Sequence, residues 1–310
     1  MLTLGEGLAA YRICAKAEGR SERTVGAVTD AVRYFSRFLG EDDVDLQSLD
    51  GQSLRRFILA LQSKQAFSNH RFTRTQNRKL SPEAIASYVR SIKSFFSFLA
   101  REELISNNPM AKVKSPKVPQ KVMPTFTEAE LRALLAQPDQ KTNEGYRDYV
   151  MMATMLDTAL RVSEMCGLAV SDVDLDNGYL RVMGKGAKER YVPIGHRLMK
   201  LLLKYKLHHR SHACTDKFFV TRDGRPINKK RVETIVRKYG NRAGIKTRCS
   251  PHTFRSTSAV LYLRNDGDTF SLQKKLGHSS LTMTRRYSEL ADADVRRKHL
   301  IASPLDRLFQ

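Results

Sequence analysis

Paired cysteines are missing from this 310-residue sequence. The four that it has, Cys14, Cys166, Cys214 and Cys249, form no CxxC pair, so neither a zinc ribbon nor a disulfide framework is indicated and reduced thiols are the default. No apolar run approaches the ~18 residues of a membrane span, although the hydrophobic content of 41% is ordinary for a globular protein. The N-terminal MLTLGEGLAAYRICAKAEGR lacks a basic start followed by an apolar stretch and small cleavage residues. No secretory signal is indicated, and a soluble, cytoplasmic protein with no membrane partner is expected. Tandem repeats and low-complexity segments are absent as well. Negative charge is in short supply: 32 Asp and Glu face 54 Lys and Arg, leaving a net charge of +22. Such an excess favours a polyanionic partner, the plainer reading being a basic protein that is merely soluble.

The chain is long enough for two domains that each bury a core. Residues 1–110 read as helical throughout, with apolar residues at helical spacing from Val25 to Leu39 and from Ile85 to Leu99. Ser21 and Ser81 stand where capping residues belong; Pro82 and Glu83 strengthen the second helix start. Between these helices, HRFTRTQNRK (His70 to Lys79) is too polar to pack. It is either a solvated loop or a phosphate-binding one, with Arg71, Arg74, Arg78 and Lys79 as the candidate contacts. Residues 111–124, AKVKSPKVPQKVMP, hold three prolines and four lysines with no acid, which marks a basic linker with Lys112, Lys114 and Lys117 as further DNA-contact candidates. Residues 125–310 form the second domain, with a tail from about residue 290. Thr127 opens a TEAEL helix start, and an apolar helix runs through Tyr149 to Leu160. The period then changes: YLRVM (Tyr179 to Met183) and RYVPI (Arg190 to Ile194) flank the glycine-bearing GKGAKE, a β-hairpin with a lysine-rich tip carrying Lys185 and Lys188. Helices resume from Arg197. Among them KKRVETIVRKYG (Lys229 to Gly240) keeps Val232, Ile235 and Val236 on one face and leaves Lys229, Lys230, Arg231 and Arg237 on the other.

Four motifs in this second domain belong together: TALRVSEMCGL (Thr158 to Leu168), GKGAKERYVPI (Gly184 to Ile194), SPHTFRSTSAVLYL (Ser250 to Leu263) and LGHSSLTMTRRYSEL (Leu276 to Leu290). In this order and spacing they resemble the catalytic boxes of tyrosine recombinases, the phage integrase family. The helical N-terminal domain with NNP (Asn107 to Pro109) resembles that family's SAM-like core-binding domain. The resemblance covers nearly the whole chain. Carried over residue by residue, it makes Arg161 the first catalytic arginine, Glu164 its acidic support, Lys185 the hairpin lysine, His252 and Arg255 the His-x-x-Arg pair, His278 the later histidine and Tyr287 the nucleophile. The family often has a histidine directly after the second arginine; here Ser256 stands there. With no further domain before Leu4, the chain resembles the simpler Xer-like or mobile-element integrases.

Phosphoryl chemistry is consistent with those roles. Moving a phosphodiester without metal or nucleotide needs cations on the non-bridging oxygens of the transition state, and two guanidiniums supply planar bidentate donors. Imidazoles titrate near neutrality and can donate hydrogen bonds or trade protons. A phenol of pKa about 10 needs nearby cations and a proton acceptor before it attacks. A lysine on a hairpin can protonate the departing 5′ oxygen. Taken singly each residue has a duller reading: Arg161 as a helix cap, Lys185 or Lys188 as solvated hairpin charge, His278 as a turn residue, Tyr287 as one half-buried tyrosine among 11. Their joint order and spacing favour the site.

Two further features carry less. GKGAK lacks the GxxxxGK[ST] arrangement of a phosphate loop. His208, His209, His212 and Cys214 are metal-ligand types, but a solvated helix end explains them and no second cluster completes a site.

The resemblance implies a mainly α fold: the helical core-binding domain, then a mostly helical α/β catalytic domain with a small antiparallel sheet, the two forming a C-shaped clamp on duplex DNA. It further implies strand exchange through a 3′-phosphotyrosine and a Holliday junction, no cofactor, a homotetramer on two DNA sites, and a C-terminal tail that docks on a neighbouring protomer. A type IB topoisomerase and a non-enzymatic DNA-binding protein are the rival readings.

Overall fold

The computed structural model describes residues 2–40, 44–65, 77, 79–119, 123–184, 188–210, 213–278, 280–291, 299, 303 and 305–306. The chain divides into two units, Met1–Lys121 and Val122–Gln310.

The first unit packs four described helices: α1 (Leu4–Ala17), α2 (Glu22–Leu39), α3 (Gly51–Ser63) and α4 (Pro82–Arg101). Ser21 caps α2, its side chain accepting from the Thr24 backbone N–H, and Ser81 caps α4 with Pro82 in the first turn. In α4 the buried Ile85, Val89, Ile92, Phe96 and Leu99 recur every three or four residues, so one stripe faces inward and the charged residues face out. That stripe, with Phe95 of the same helix, joins Tyr11, Phe35 and Phe57 in a core rich in edge-on aromatic pairs, such as Phe35 with Phe57 at 5.2 Å between ring centroids.

The second unit is helical around a small sheet. It contains α5 (Glu128–Leu135), α6 (Asn143–Thr158), α7 (Val162–Gly167), β1 (Val173–Asp174), β2 (Tyr179–Met183), β3 (Glu189–Pro193), α8 (His196–Lys204), α9 (Lys229–Arg242), α10 (Pro251–Arg264), α11 (Thr269–Leu276) and α12 (Leu281–Ala291). Thr127 and Glu130 form a reciprocal capping box at the start of α5. The strands are antiparallel in the order β1-β2-β3, with Leu180 opposite Val192 and Val182 opposite Arg190. Leu180, Val182 and Val192 are buried in the same apolar cluster as Val150, Met155 and Phe254, so the partner of Val182, Arg190, shares the inward face. α6 stops at Thr158, two residues before the expected Leu160, because Ala159 adopts a left-handed conformation at φ 54°.

α10 is buried almost all round, hydroxyls included. Its Ser256 and Thr257 donate back to the carbonyls of His252 and Thr253, both at 2.8 Å, so a polar helix enters the interior without orphaned groups. Arg147 and Asp148 of α6 form a second buried polar knot: Asp148 accepts from Arg147 at 2.7 Å and from the Tyr239 hydroxyl of α9 at 3.0 Å. Among the described residues, no helix is long and apolar enough to cross a membrane.

Candidate active site

The left-handed turn at Ala159 ends α6 and sets Arg161 at the N-cap of α7. One turn on, Glu164 reaches back. Its Oε2 accepts the Arg161 backbone N–H and its Oε1 accepts Arg161 Nη1, both at 2.8 Å. The Glu164 side chain is 5% exposed while that of Arg161 is 37% exposed, so the carboxylate anchors a guanidinium that still faces solvent. A second guanidinium, from Arg190 of β3, spans the same carboxylate at 3.0 and 2.9 Å. Burial opposes ionisation of Glu164, yet the hydrogen bonds from Arg190 and from the Arg161 backbone, with both positive charges, hold its pKa below the usual value.

Arg255 comes from the buried side of α10 and is 5% exposed. Its Nη1 donates to the Ala159 carbonyl at 2.6 Å, and its Nη2 donates to the Leu276 carbonyl at 2.9 Å and lies 3.1 Å from His278 Nε2. Three of its five N–H donors are thus engaged by described residues, leaving one Nη1 hydrogen and the Nε hydrogen for a bound anion. Burial, then repulsion from Arg161, lowers its pKa to about 10, still far above neutrality. The cluster holds three guanidiniums and one carboxylate, an excess of positive charge suited to a phosphate.

His278 follows Gly277, the left-handed cap of α11 at φ 63°. Its Nδ1 lies 3.0 Å from Thr284 Oγ1 in α12, and its ring stacks near that of Tyr287 with centroids 6.2 Å apart. A guanidinium can only donate, so Nε2 accepts from Arg255 and the proton sits on Nδ1. Burial, then the charges of Arg255, Arg161 and Arg190, press the pKa of His278 down to about 4. The imidazole is therefore neutral at physiological pH. His252 is exposed in the first turn of α10, and its pKa is lowered by partial burial of the ring and then by Arg255 and Arg248.

Tyr287, three residues beyond Thr284 on α12, is 4% exposed and packs among Ala159, Val260, Leu272 and Leu276. Tyr262 and Tyr239 are placed differently. Tyr262 packs against Gly267 under the Lys275 ammonium, and Tyr239 is buried on Asp148, its pKa raised to about 12 by burial and then by that carboxylate.

Arg161, Glu164, Arg255, His278 and Tyr287 therefore converge, with His252 beside Arg255. Lys185, Arg71, Arg74, Arg78 and most of the tail beyond residue 290 lie outside the described residues. Lys188 is exposed at the hairpin base, where its carbonyl accepts from the Gly184 N–H at 2.8 Å. Lys79, Lys112, Lys114, Lys117, Lys229, Lys230, Arg231 and Arg237 are all exposed. His209 stacks on Tyr146 with centroids 4.1 Å apart and its Nδ1 lies 3.0 Å from Asn143 Oδ1, while His212 is not described. Among the described residues no group of three or more His, Cys, Asp or Glu is placed to hold a metal.

Sequence reasoning missed Arg190 and Thr284. The signal for Arg190 was the strand alternation itself, which puts Arg190, Val192 and Ile194 on one face, so an arginine in register with core residues demanded a buried anion. Thr284 carried no such signal; its role needs the fold of the α11–α12 corner.

Residues 124–294 match the model of the phage integrase family, and residues 8–115 match that of the phage integrase SAM-like domain. The chain is 28% identical over 287 residues to tyrosine recombinase XerD of Staphylococcus haemolyticus (strain JCSC1435), spanning 91% of this chain and 92% of that protein. It is 31% identical over 286 residues to tyrosine recombinase XerD of Shewanella oneidensis (strain MR-1), spanning 91% of each. In fold it is similar to the Tn1549 transposon integrase in complex with transposon right end DNA, with a TM-score of 0.72 at 18% identity over 96% of this chain and 99% of that one. It is also similar in fold to the XerH site-specific recombinase bound to palindromic difH substrate, with a TM-score of 0.71 at 21% identity over 95% and 83%.

Proposed function

The chain belongs to the phage integrase family, and from that premise we propose that it is a site-specific DNA recombinase that breaks and rejoins strands through Tyr287. The observation that carries this reading is the convergence of Arg161 and Arg255 beside His278 and Tyr287, a positively charged site with a phenol at its wall. Arg161 and Arg255 hold the non-bridging oxygens of the scissile phosphate, and Glu164 positions Arg161. His252 borders that phosphate as a hydrogen-bonding group, and neutral His278, its Nε2 accepting from Arg255, orients that guanidinium. The Tyr287 oxygen, its phenolic proton passing to solvent, attacks phosphorus, forming a 3′-phosphotyrosine as the bond to the 5′ oxygen breaks, and Lys185 protonates that leaving oxygen. The 5′-hydroxyl of a partner duplex then attacks the phosphotyrosine, restoring the phosphodiester and returning a proton to the enzyme. Two such rounds pass through a Holliday junction. Each new bond replaces one of the same kind, so no nucleotide cofactor is needed.

The partner is double-stranded DNA, which both units grip, with four copies on two sites. A protein of similar fold, lambda integrase, forms a tetramer bound to a Holliday junction, which supports this assembly. We assign the basic stretches at Arg71, Arg74, Arg78 and Lys79, the linker lysines Lys112, Lys114 and Lys117, and Lys188 to phosphate contact. The tail docks on a neighbouring protomer, and the protein works in the cytoplasm.

The test is a nicked suicide substrate carrying the target site, which traps the adduct because the cleaved fragment diffuses away. Wild type should form a covalent complex stable to denaturant, and Tyr287→Phe should bind the DNA yet form none. An adduct in that variant moves the nucleophile elsewhere. Junctions formed on two-site DNA separate a recombinase from a topoisomerase.

A further inference from the structure

Arg190 is an arginine on the core-facing side of a strand, and nothing in the proposed chemistry uses it. Its guanidinium makes three directed contacts. Nη1 and Nη2 donate to the two oxygens of Glu164 at 3.0 and 2.9 Å, and Nε donates to the Lys275 carbonyl in the last turn of α11 at 3.1 Å. Its face lies on Gly277, where an added Cβ would come within 3.1 Å of the guanidinium carbon. The side chain is 13% exposed, so little of it is left to reach DNA.

We propose that Arg190 is a positioning residue for strand cleavage: it locks the Glu164 carboxylate that holds Arg161 and, through Lys275 and Gly277, fixes the corner from which His278 projects. The inference rests on the recombinase reading of this site.

The geometry explains why an arginine is required. Each Glu164 oxygen accepts once from Arg161 and once from Arg190, so with Arg190 removed the carboxylate is held along one side only and is free to turn with its guanidinium. A lysine would keep the charge, but a single ammonium cannot span two carboxylate oxygens and a carbonyl on a third side. Arg190 thereby ties β3, which follows Lys185 in the sequence, to the α7 start and the α11 end. Misplacement of a catalytic group by ~1 Å can cost on the order of 100-fold in rate.

Single-turnover cleavage of the suicide substrate and equilibrium DNA binding should be measured on the same preparations of wild type, Arg190→Ala, Arg190→Lys, Glu164→Gln and the Arg190→Ala/Glu164→Gln double variant. Arg190→Ala should lose about 100-fold in cleavage rate with its affinity for DNA unchanged, and Arg190→Lys should stay impaired. In the Glu164→Gln background, removing Arg190 should add little, because both changes release the same guanidinium. Wild-type cleavage by a folded Arg190→Ala or Arg190→Lys, a rate loss matched by lost affinity, or losses that simply multiply in the double variant would each overturn the proposal. Should Arg190→Ala not yield folded protein, Arg190→Lys, which keeps a cation beside Glu164, decides alone. Failure of the recombinase reading is visible separately, as an absent wild-type adduct or an adduct that survives Tyr287→Phe.

Discussion

Arg255 donates from Nη2 to His278 Nε2 across 3.1 Å, which fixes the histidine as the tautomer protonated on Nδ1. Burial, then the positive charge of Arg255, presses the ring's pKa down to about 4, and a second proton would also meet a guanidinium that has no acceptor to offer. Folding therefore favours neutral His278, whose ordinary pKa is 6.5. Between those values the unfolded chain binds more protons than the folded one. Stability contributed by His278 is full above pH 6.5 and is lost as the pH falls toward 4. His252 acts in the same direction. Urea unfolding midpoints should fall across that acid interval, and fall less in His278→Gln. An equal fall in the variant would assign the effect to other groups.

The two arginines of the clamp should separate in stability assays. Arg255→Met leaves the Ala159 and Leu276 carbonyls without their buried donor, costing about 1–3 kcal/mol for each group left unpaired. Arg161→Ala removes a half-exposed side chain whose partner Glu164 keeps Arg190, and should cost about 0.2–1 kcal/mol. Both variants should fail to cleave. Chemical denaturation that ranks them in the opposite order would contradict this division of labour.

The exposed face of α9 should contact DNA. Lys230, Arg231 and Arg237 stand on it, opposite the buried Val232, Ile235 and Val236. Alanine at phosphate-contacting positions should weaken binding to all sequences and flatten its salt dependence, whereas a base-reading position should change site preference. Unchanged affinity and salt slope after all three substitutions would turn this helix away from DNA.

Lys185 is expected to act as general acid, and Lys188, three positions later, to hold phosphate only. An alkoxide leaves poorly without a proton, whereas a thiolate does not need one. Lys185→Ala should cleave normal DNA about 100-fold more slowly and a substrate with sulfur at the bridging 5′ position at near wild-type rate. Lys188→Ala should lose far less on normal DNA. Single-turnover conditions keep product release from masking the step. Rescue of Lys188→Ala alone would transfer the role.

Much of the candidate site was legible in one dimension because spacing within a motif is short-range. His252 and Arg255 lie three positions apart on one helix, Arg161 and Glu164 share a helix start, and Tyr287 lies nine positions after His278. Helix caps at Ser21, Ser81 and Thr127, and the hairpin period from Tyr179, were equally local, since each depends on a few neighbouring residues and on apolar alternation. What no pattern in the sequence determined was which groups those side chains meet. The Ala159 and Leu276 carbonyls that hold Arg255 lie 96 and 21 residues away, and the Arg190 that shares Glu164 lies 26 away. Tertiary packing alone decided that Arg255 is buried, that Tyr287 sits among Ala159 and Leu272, and that His278 is neutral. Desolvation and hydrogen bonding depend on distance in space, and only the folded chain brings α6, β3, α10 and the α11–α12 corner within hydrogen-bond reach of one another.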